Sequence, residues 1–154
     1  MYNVFLKLKG ECVMQIETYL KSFGKYAPKS DLMFRIAISL IFIVGGLGHF
    51  KEHQYMLDRM ATSPWVNVVN SIGDSSILLW MSGAVFVVAG LALAAGYKTR
   101  LAALALFTTL LPITLASHGA PGHVGPFFKN IAILGALAHL FFKGPGRYAL
   151  DKED

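Results

Sequence analysis

Long apolar stretches separated by short polar ones dominate the chain. No charged residue occurs from Ser75 to Tyr97 or from Leu101 to Phe128, and Arg35 is the only one between Leu32 and Phe50. A helix needs about 20 mostly apolar residues to cross the hydrocarbon core of a bilayer, which is about 30 Å thick. The pattern therefore predicts four membrane-spanning helices, at about 32–50, 75–97, 101–117 and 127–142.

Four short spans are expected to pack together, because backbone groups in lipid must be satisfied inside helices and small residues let helices approach. Gly83 and Gly90 lie one heptad apart on the second span. We expect Asp74 or Ser75 to cap that span and Gly96, with Lys98, to end it. Residues 31–154 are therefore predicted to form one all-α, integral membrane four-helix bundle. At the start of the bundle, Pro28 should end any helix that precedes it, and Ser30 or Asp31 should cap the first span.

Residues 1–30 form a separate N-terminal segment in this interpretation. Val13, Ile16, Leu20 and Phe23 recur at helical spacing, which predicts a short amphipathic helix on the membrane surface. A solvated tail is the competing interpretation. A cleaved signal peptide is rejected, because some thirty residues precede the first apolar stretch and three more spans follow it. Between the first two spans, one or two short helices broken at Ser63-Pro64 are expected.

The composition supports a membrane location. Hydrophobic residues make up 55% of the chain, charged residues 15%, and the mean hydropathy is +0.52, whereas soluble domains are about 25% charged. The net charge of +5 reflects lysine and arginine beside a membrane, since no basic helix or RNA-binding motif is present and no nucleic-acid partner is expected. The single Cys12 excludes an internal disulfide or a thiolate cluster.

Lysine and arginine are distributed unevenly about the predicted spans. Nine lie near span ends on the side of the two termini, whereas the other side has Lys51, Arg59 and Lys129. Positive charge collects on the cytoplasmic side of membrane proteins. We therefore expect a multi-pass protein of a prokaryotic cytoplasmic (inner) membrane with both termini in the cytoplasm. Arg35, one turn into the first span, is expected to extend its charge outward to the interface.

Four of the five histidines lie at the predicted periplasmic side. His49 and His53 share a helix face if the first helix continues past Phe50, and His118 and His123 flank a Gly-Ala-Pro-Gly turn after the third span. Because the first and third spans run in the same direction, their outer ends are candidates for neighbours. These four residues are candidate ligands of copper, zinc or a haem. The alternative is that they are ordinary interfacial histidines, and no carboxylate lies at a diagnostic spacing.

Further polar residues lie at the same predicted end of the bundle. Lys129 and Asn130 open the fourth span, and Trp65 fits the interfacial aromatic belt. If Lys129 points inward it extends a donor cluster suited to a quinone carbonyl; the alternative is that it extends to the nearby interface. The candidate quinone pocket comprises His49, Trp65, His118, Lys129 and Asn130.

Familiar catalytic motifs are absent from the sequence. It has no dinucleotide or phosphate-binding glycine motif, no nucleophile elbow, no H-E-x-x-H motif, and no paired carboxylates in the spans. Any electron transfer therefore needs a bound quinone, a metal or another subunit.

The pattern as a whole resembles the DoxX family of small four-span bacterial and archaeal membrane proteins. The most specific part is Lys129-Asn130-x-Ala132-x-x-Gly135, followed by Gly-Pro-Gly and a final Leu-Asp. The matching stretches are 35–37, 42–48, 96–102, 128–135 and 144–151. The resemblance implies a partner of thiosulfate:quinone oxidoreductase or of membrane thiol and oxidative-stress complexes. Many members carry a glutamate in the second span, where Phe86 falls here, which argues against proton-coupled chemistry on that helix.

Three functions follow from the residues and the resemblance. The first is a component of a quinone-linked membrane oxidoreductase, working with another membrane or soluble redox subunit. The second is a non-catalytic membrane anchor or assembly subunit. The third is a periplasm-facing metal or haem binding protein.

Overall fold

The computed structural model describes residues 13–118 and 124–151, without the side chains at 116–118 and 124. The described residues form helices and no strand. In chain order the elements are α1 (13–22), a 3-10 turn (Phe23–Tyr26), α2 (Ala27–Lys51), α3 (His53–Ala61), α4 (Val66–Ile72), α5 (Ser75–Ala95), α6 (Thr99–His118) and α7 (Val124–Lys143).

The predicted spans correspond to α2, α5, α6 and α7. The continuous helical run Val13–Lys51, α5 and the stretch Gly125–Lys143 are long and apolar enough to cross a membrane, and Thr99–Leu115 is a shorter apolar helix. The expected all-α membrane bundle is confirmed. The expected break at Ser63-Pro64 is confirmed too, because α3 ends and α4 begins on either side of it.

Consecutive spans pack against each other, α2 on α5, α5 on α6 and α6 on α7. The core between them is made of side chains at most 5% exposed on all four helices: Phe42, Phe86, Leu93, Leu106, Leu110, Leu137 and Leu140. This order puts α5, rather than α6, beside the whole length of α2. His49, near the end of α2, therefore faces α5.

Two glycines bring α2 and α5 unusually close. A Cβ atom on Gly46 would lie 2.8 Å from the carbonyl oxygen of Gly83, and one on Gly83 would lie 2.9 Å from the Cβ atom of His49. Real Cβ atoms do not approach other atoms so closely, so both positions require glycine. The close approach holds His49 directly against α5.

The start of α2 differs from the prediction. The helix begins at Ala27 with Pro28 in its first turn, and neither Ser30 nor Asp31 caps it. The Ser30 hydroxyl donates to the Ala27 carbonyl, and Asp31 forms an ion pair with Lys143. Proline suits a first helical turn because its missing N–H has no partner there in any case. Pro28 therefore does not interrupt the helical run, and the prediction of a break there was wrong.

The ends of α5 agree with the prediction. The Asp74 carboxylate accepts hydrogen bonds from the amides of Ser76 and Ile77. Gly96 ends the helix in the left-handed conformation, with φ at 67°. This conformation carries little strain only for glycine, so the sharp turn into α6 follows from the sequence.

The terminal end of the bundle comprises the start of α2, the α5–α6 turn and residues 144–151. Here Arg35 is 1% exposed, and its guanidinium donates to the carbonyl oxygens of Pro145 and Tyr148. The expectation that Arg35 extends its charge outward was wrong. The chain after α7 folds back over the guanidinium and supplies the carbonyl oxygens that a buried cation requires.

Asp151 completes the terminal end. Its carboxylate accepts hydrogen bonds from the amides of Lys98 and Thr99, both at 2.8 Å, so it caps α6 from a distant part of the chain. Its own amide donates to the Gly96 carbonyl at 2.8 Å. The hydrogen bond from the Thr99 amide is the largest influence that lowers the pKa of Asp151; burial opposes it, and the Lys98 amide and the Arg35 charge add to it.

Candidate functional site

A buried histidine lies at the α3–α4 end, the end of the bundle opposite residues 144–151. His49 is 8% exposed, and its Nδ1 atom lies 2.9 Å from the Ser82 hydroxyl on α5. That hydroxyl donates its own proton to the Leu79 carbonyl at 2.8 Å. The oxygen of Ser82 is therefore the acceptor, and Nδ1 of His49 carries the proton. In the neutral form of the ring, this hydrogen bond leaves the lone pair on Nε2.

The ring of His49 lies against Phe86. Their ring centroids are 5.3 Å apart, and Phe86 also packs edge-on against Phe42 at 5.0 Å. Phe86 is 5% exposed. The position where the family resemblance implies a glutamate is therefore an aromatic contact of the buried histidine, and it presents no ionisable group to the bundle.

His53 forms a second histidine–serine pair with α5. Its Nε2 atom lies 2.9 Å from the Ser76 hydroxyl, and its ring lies 4.8 Å from that of Trp80 at an interplanar angle of 34°. Phe50 packs on Trp80 at 5.0 Å. The Nδ1 atom of His53 is buried and has no hydrogen-bond partner among the described residues. The sequence analysis missed Ser76, Ser82 and Trp80; their signal was that α5 has only three hydroxyl side chains and one indole among apolar residues.

An open cavity of about 490 Å³ adjoins this second pair. It lies where α3, α4 and the start of α5 meet, and its lining comprises Leu57, Asn70, Gly73, Asp74, Ser75 and Ser76. Ser76 lines the cavity and also contacts His53. The cavity therefore adjoins the His53–Ser76 pair, whereas His49, Phe50 and Trp80 are not part of its lining.

Asn130 takes part in a different polar contact. Its amide donates to the Thr114 hydroxyl at 3.1 Å, and Thr114 donates to the Leu110 carbonyl at 2.8 Å. Asn130 is 6% exposed and Thr114 2%. This pair joins α7 to α6, whereas His49 joins α2 to α5. No described hydrogen bond connects the two pairs.

The other predicted pocket residues are spread over the α3–α4 end. Lys129 is exposed, and Trp65 precedes α4 with 45% of its surface exposed. His118 ends α6, but its side chain lies outside the described residues, as does His123 altogether. Lys129 therefore does not point into the bundle core. Of the described pocket residues, His49 is the one that lies against an aromatic ring of a neighbouring span.

The metal hypothesis also rested on these histidines. His49 and His53 contact different serines and lie against different aromatic rings, Phe86 and Trp80. Among the described side chains, those of residues 13–115 and 125–151, no group of three from histidine, cysteine, aspartate or glutamate is arranged to hold a metal ion. Ligation of copper, zinc or haem with His118 and His123 stays a prediction.

Comparisons with known proteins agree with the fold and with the membrane location. The family model for DoxX matches residues 30–119. The chain is 32% identical over 141 residues to the inner membrane protein YphA of Escherichia coli (strain K12), an alignment that covers 84% of this chain and 94% of that protein. No solved structure matches. The family model covers more than half of the chain, and the chain therefore belongs to the DoxX family of membrane proteins.

Proposed function

We propose that this protein is the membrane subunit of a quinone-linked oxidoreductase system and that His49 contacts the quinone head group. The observation that carries the proposal is the buried His49–Ser82 pair, which fixes the tautomer of the ring. A neutral imidazole with a lone pair on Nε2 accepts a hydrogen bond from a quinol hydroxyl, and its protonated form donates one to a quinone carbonyl. Either form suits a quinone head group.

The surroundings of His49 support the same ligand. Phe86, Phe50 and Trp80 supply aromatic surface beside the two histidines. Ligand sites are mostly apolar, with a few polar groups that set the orientation. A quinone ring is flat and apolar on both faces and has two oxygens at its edge. The chemistry of this end of the bundle fits such a ring.

Electrons must reach the quinone from another subunit, since the chain has no motif for a redox cofactor of its own. The name of the relative YphA supports a location in the inner membrane. We place both termini in the cytoplasm because of the excess of lysine and arginine at the terminal end. The α3–α4 end then faces the periplasm.

Quinone binding is tested in a variant with Trp65→Phe, in which Trp80 is the only tryptophan. A short-chain ubiquinone is titrated into the purified protein, and quenching of the Trp80 fluorescence is followed. Saturable quenching is expected, and His49→Ala should weaken binding about tenfold, the value of one good hydrogen bond in an apolar site. His139→Ala is the matched control, because that ring lies beside Phe34 towards the terminal end.

Two results would remove the quinone role. One is the absence of saturable quenching, and the other is an equal loss in the His49 and His139 variants. The second candidate function, a non-catalytic anchor or assembly subunit, is favoured by the internal pairing of Asn130 with Thr114 and the exposure of Lys129, which divide the predicted pocket. It predicts a stoichiometric partner recovered in mild detergent, with no binding of quinone.

A further inference from the structure

A two-sided helix precedes the first span. In α1 and the following 3-10 turn, Ile16, Tyr19, Leu20 and Phe23 lie on one side. Each of these side chains is 49–67% exposed. The opposite side has Met14 and, after it, the polar residues Glu17, Thr18, Lys21, Ser22 and Lys25. The apolar side of this segment, called here the α1 face, is therefore largely uncovered.

The length of the helical run shows where α1 lies relative to the membrane. Residues 13–51 are helical throughout, and the 25 residues of α2 extend about 37 Å, which is enough for a hydrocarbon core of about 30 Å. The segment before Ala27 therefore begins at the membrane surface. Tyr26 marks this level, since the ammonium groups of Lys25 and Lys29 lie 5.1 and 5.9 Å from its ring. Tyrosine and lysine are typical of the headgroup region.

We propose that the α1 face lies on an anionic lipid surface of the membrane that α2 crosses. Two observations select lipid over a protein partner. The face is continuous with a membrane-spanning helix and begins at the level of the headgroups. The charge also fits, because residues 13–29 contain three lysines and a single acidic residue, Glu17. A basic amphipathic helix with aromatic residues on its apolar side is the usual form of an interfacial helix.

The chain has a place to bend between the two helices. Residues Phe23–Tyr26 form a 3-10 turn rather than α-helix, and a Cβ atom added to Gly24 would meet nothing within 4 Å. A bend within this turn lets α1 lie along the surface without moving α2. This inference does not depend on the quinone role, because the face lies at the terminal end and His49 at the other.

The test uses spin labels in the full chain with Cys12→Ser. One label is attached at Leu20→Cys on the α1 face and, as a matched control, one at Thr18→Cys, two residues away and on the opposite side. The protein is placed in nanodiscs of phosphatidylcholine alone or mixed with phosphatidylglycerol. Access of oxygen, which concentrates in lipid, is compared with access of a water-soluble nickel chelate. In the mixed nanodiscs we expect oxygen to reach position 20 preferentially and the nickel chelate to reach position 18.

Charge variants test the anionic part of the proposal. Each lysine near an anionic surface favours the bound state about fivefold. The double variant Lys21→Glu, Lys25→Glu should therefore lower the ratio of molecules with α1 on the lipid surface to molecules with α1 away from it, by at least about 25-fold in the mixed nanodiscs. Glu17→Lys should raise this ratio. All three side chains are exposed, so the bundle is expected to fold unchanged, which its elution in detergent checks.

Three results would overturn the proposal. The first is equal access of the nickel chelate to positions 18 and 20 in both lipids. The second is dipolar broadening between labels at position 20, which would mean that a second copy covers the face. The third is preferential access of oxygen to position 20 that changes neither with phosphatidylglycerol nor in the charge variants, which would refute recognition of anionic lipid.

Discussion

Replacement of Arg35 by alanine should release the C-terminal segment from the bundle. The guanidinium is 1% exposed and donates to the carbonyls of Pro145 and Tyr148. Hydrogen bonds that involve a charged group each contribute about 1.5–3 kcal/mol. Loss of both, with two carbonyls left unpaired, should lower the free energy of unfolding by about 3–5 kcal/mol. Arg35→Lys should recover only part of this, because an ammonium group lacks the planar fork that reaches two acceptors.

The assay compares unfolding in detergent with proteolysis of residues 144–154. Arg35→Ala should unfold at a lower denaturant concentration and lose this segment to protease while the spans stay intact. Lys129→Ala, at an exposed position, is the control and should behave like the parent chain within about 0.5 kcal/mol.

A truncation after Lys143 makes the test sharper. In the shortened chain Arg35 has lost both its carbonyl partners and the segment that covers it, so its guanidinium is open to the headgroups and to water. Arg35→Ala should then be close to neutral, whereas it destabilises the full chain. The reasoning is refuted if the substitution has the same effect in both backgrounds, or if it leaves the full chain as stable and as resistant to protease as before.

Two further predictions concern helix packing and pH. Gly46→Ala should destabilise the protein by about 1–3 kcal/mol, because its Cβ atom would lie 2.8 Å from the Gly83 carbonyl oxygen. Gly45→Ala, whose Cβ atom meets nothing within 4 Å, should be neutral or slightly stabilising, and equal chemical denaturation curves for the two variants would contradict the close α2–α5 contact. Asp151 has a pKa lowered first by the Thr99 amide, so its cap stabilises the fold above about pH 4 and is lost as the pH falls through the lowered pKa. Asp151→Asn should therefore be less stable than the parent at about pH 7, and the difference should shrink as the pH falls through the lowered pKa of Asp151; a difference that does not change with pH would count against the cap.

The fold was largely predictable because lipid imposes its rules on each span separately. Apolar runs without charge identified four helices, and Asp74 and Gly96 identified the ends of α5. These features depend on neighbours in sequence. The prediction at Pro28 was wrong because proline suits a first helical turn as well as it suits a helix end. The prediction at Arg35 was wrong for a different reason, because its carbonyl partners lie 110 and 113 positions away in the sequence.

The candidate site was predictable only in part. The sequence identified His49 and Asn130 as polar residues at one end of the bundle, but it did not pair them with Ser82 and Thr114. Partners on another helix depend on helix order and rotation. The sequence around a serine in an apolar helix is the same whether its hydroxyl faces lipid or a histidine on another helix.

By itself, the sequence determined that this chain crosses a membrane as a bundle of apolar helices, because the free energy of burying backbone in lipid depends on composition along each segment. Only the tertiary structure decided that Arg35 is held by the carbonyls of Pro145 and Tyr148, that Asp151 caps α6, and that His49 is oriented by Ser82. These contacts join residues 33 to 113 positions apart. Such pairings arise from packing, since hydrogen-bonding partners are set by which helix faces meet in three dimensions.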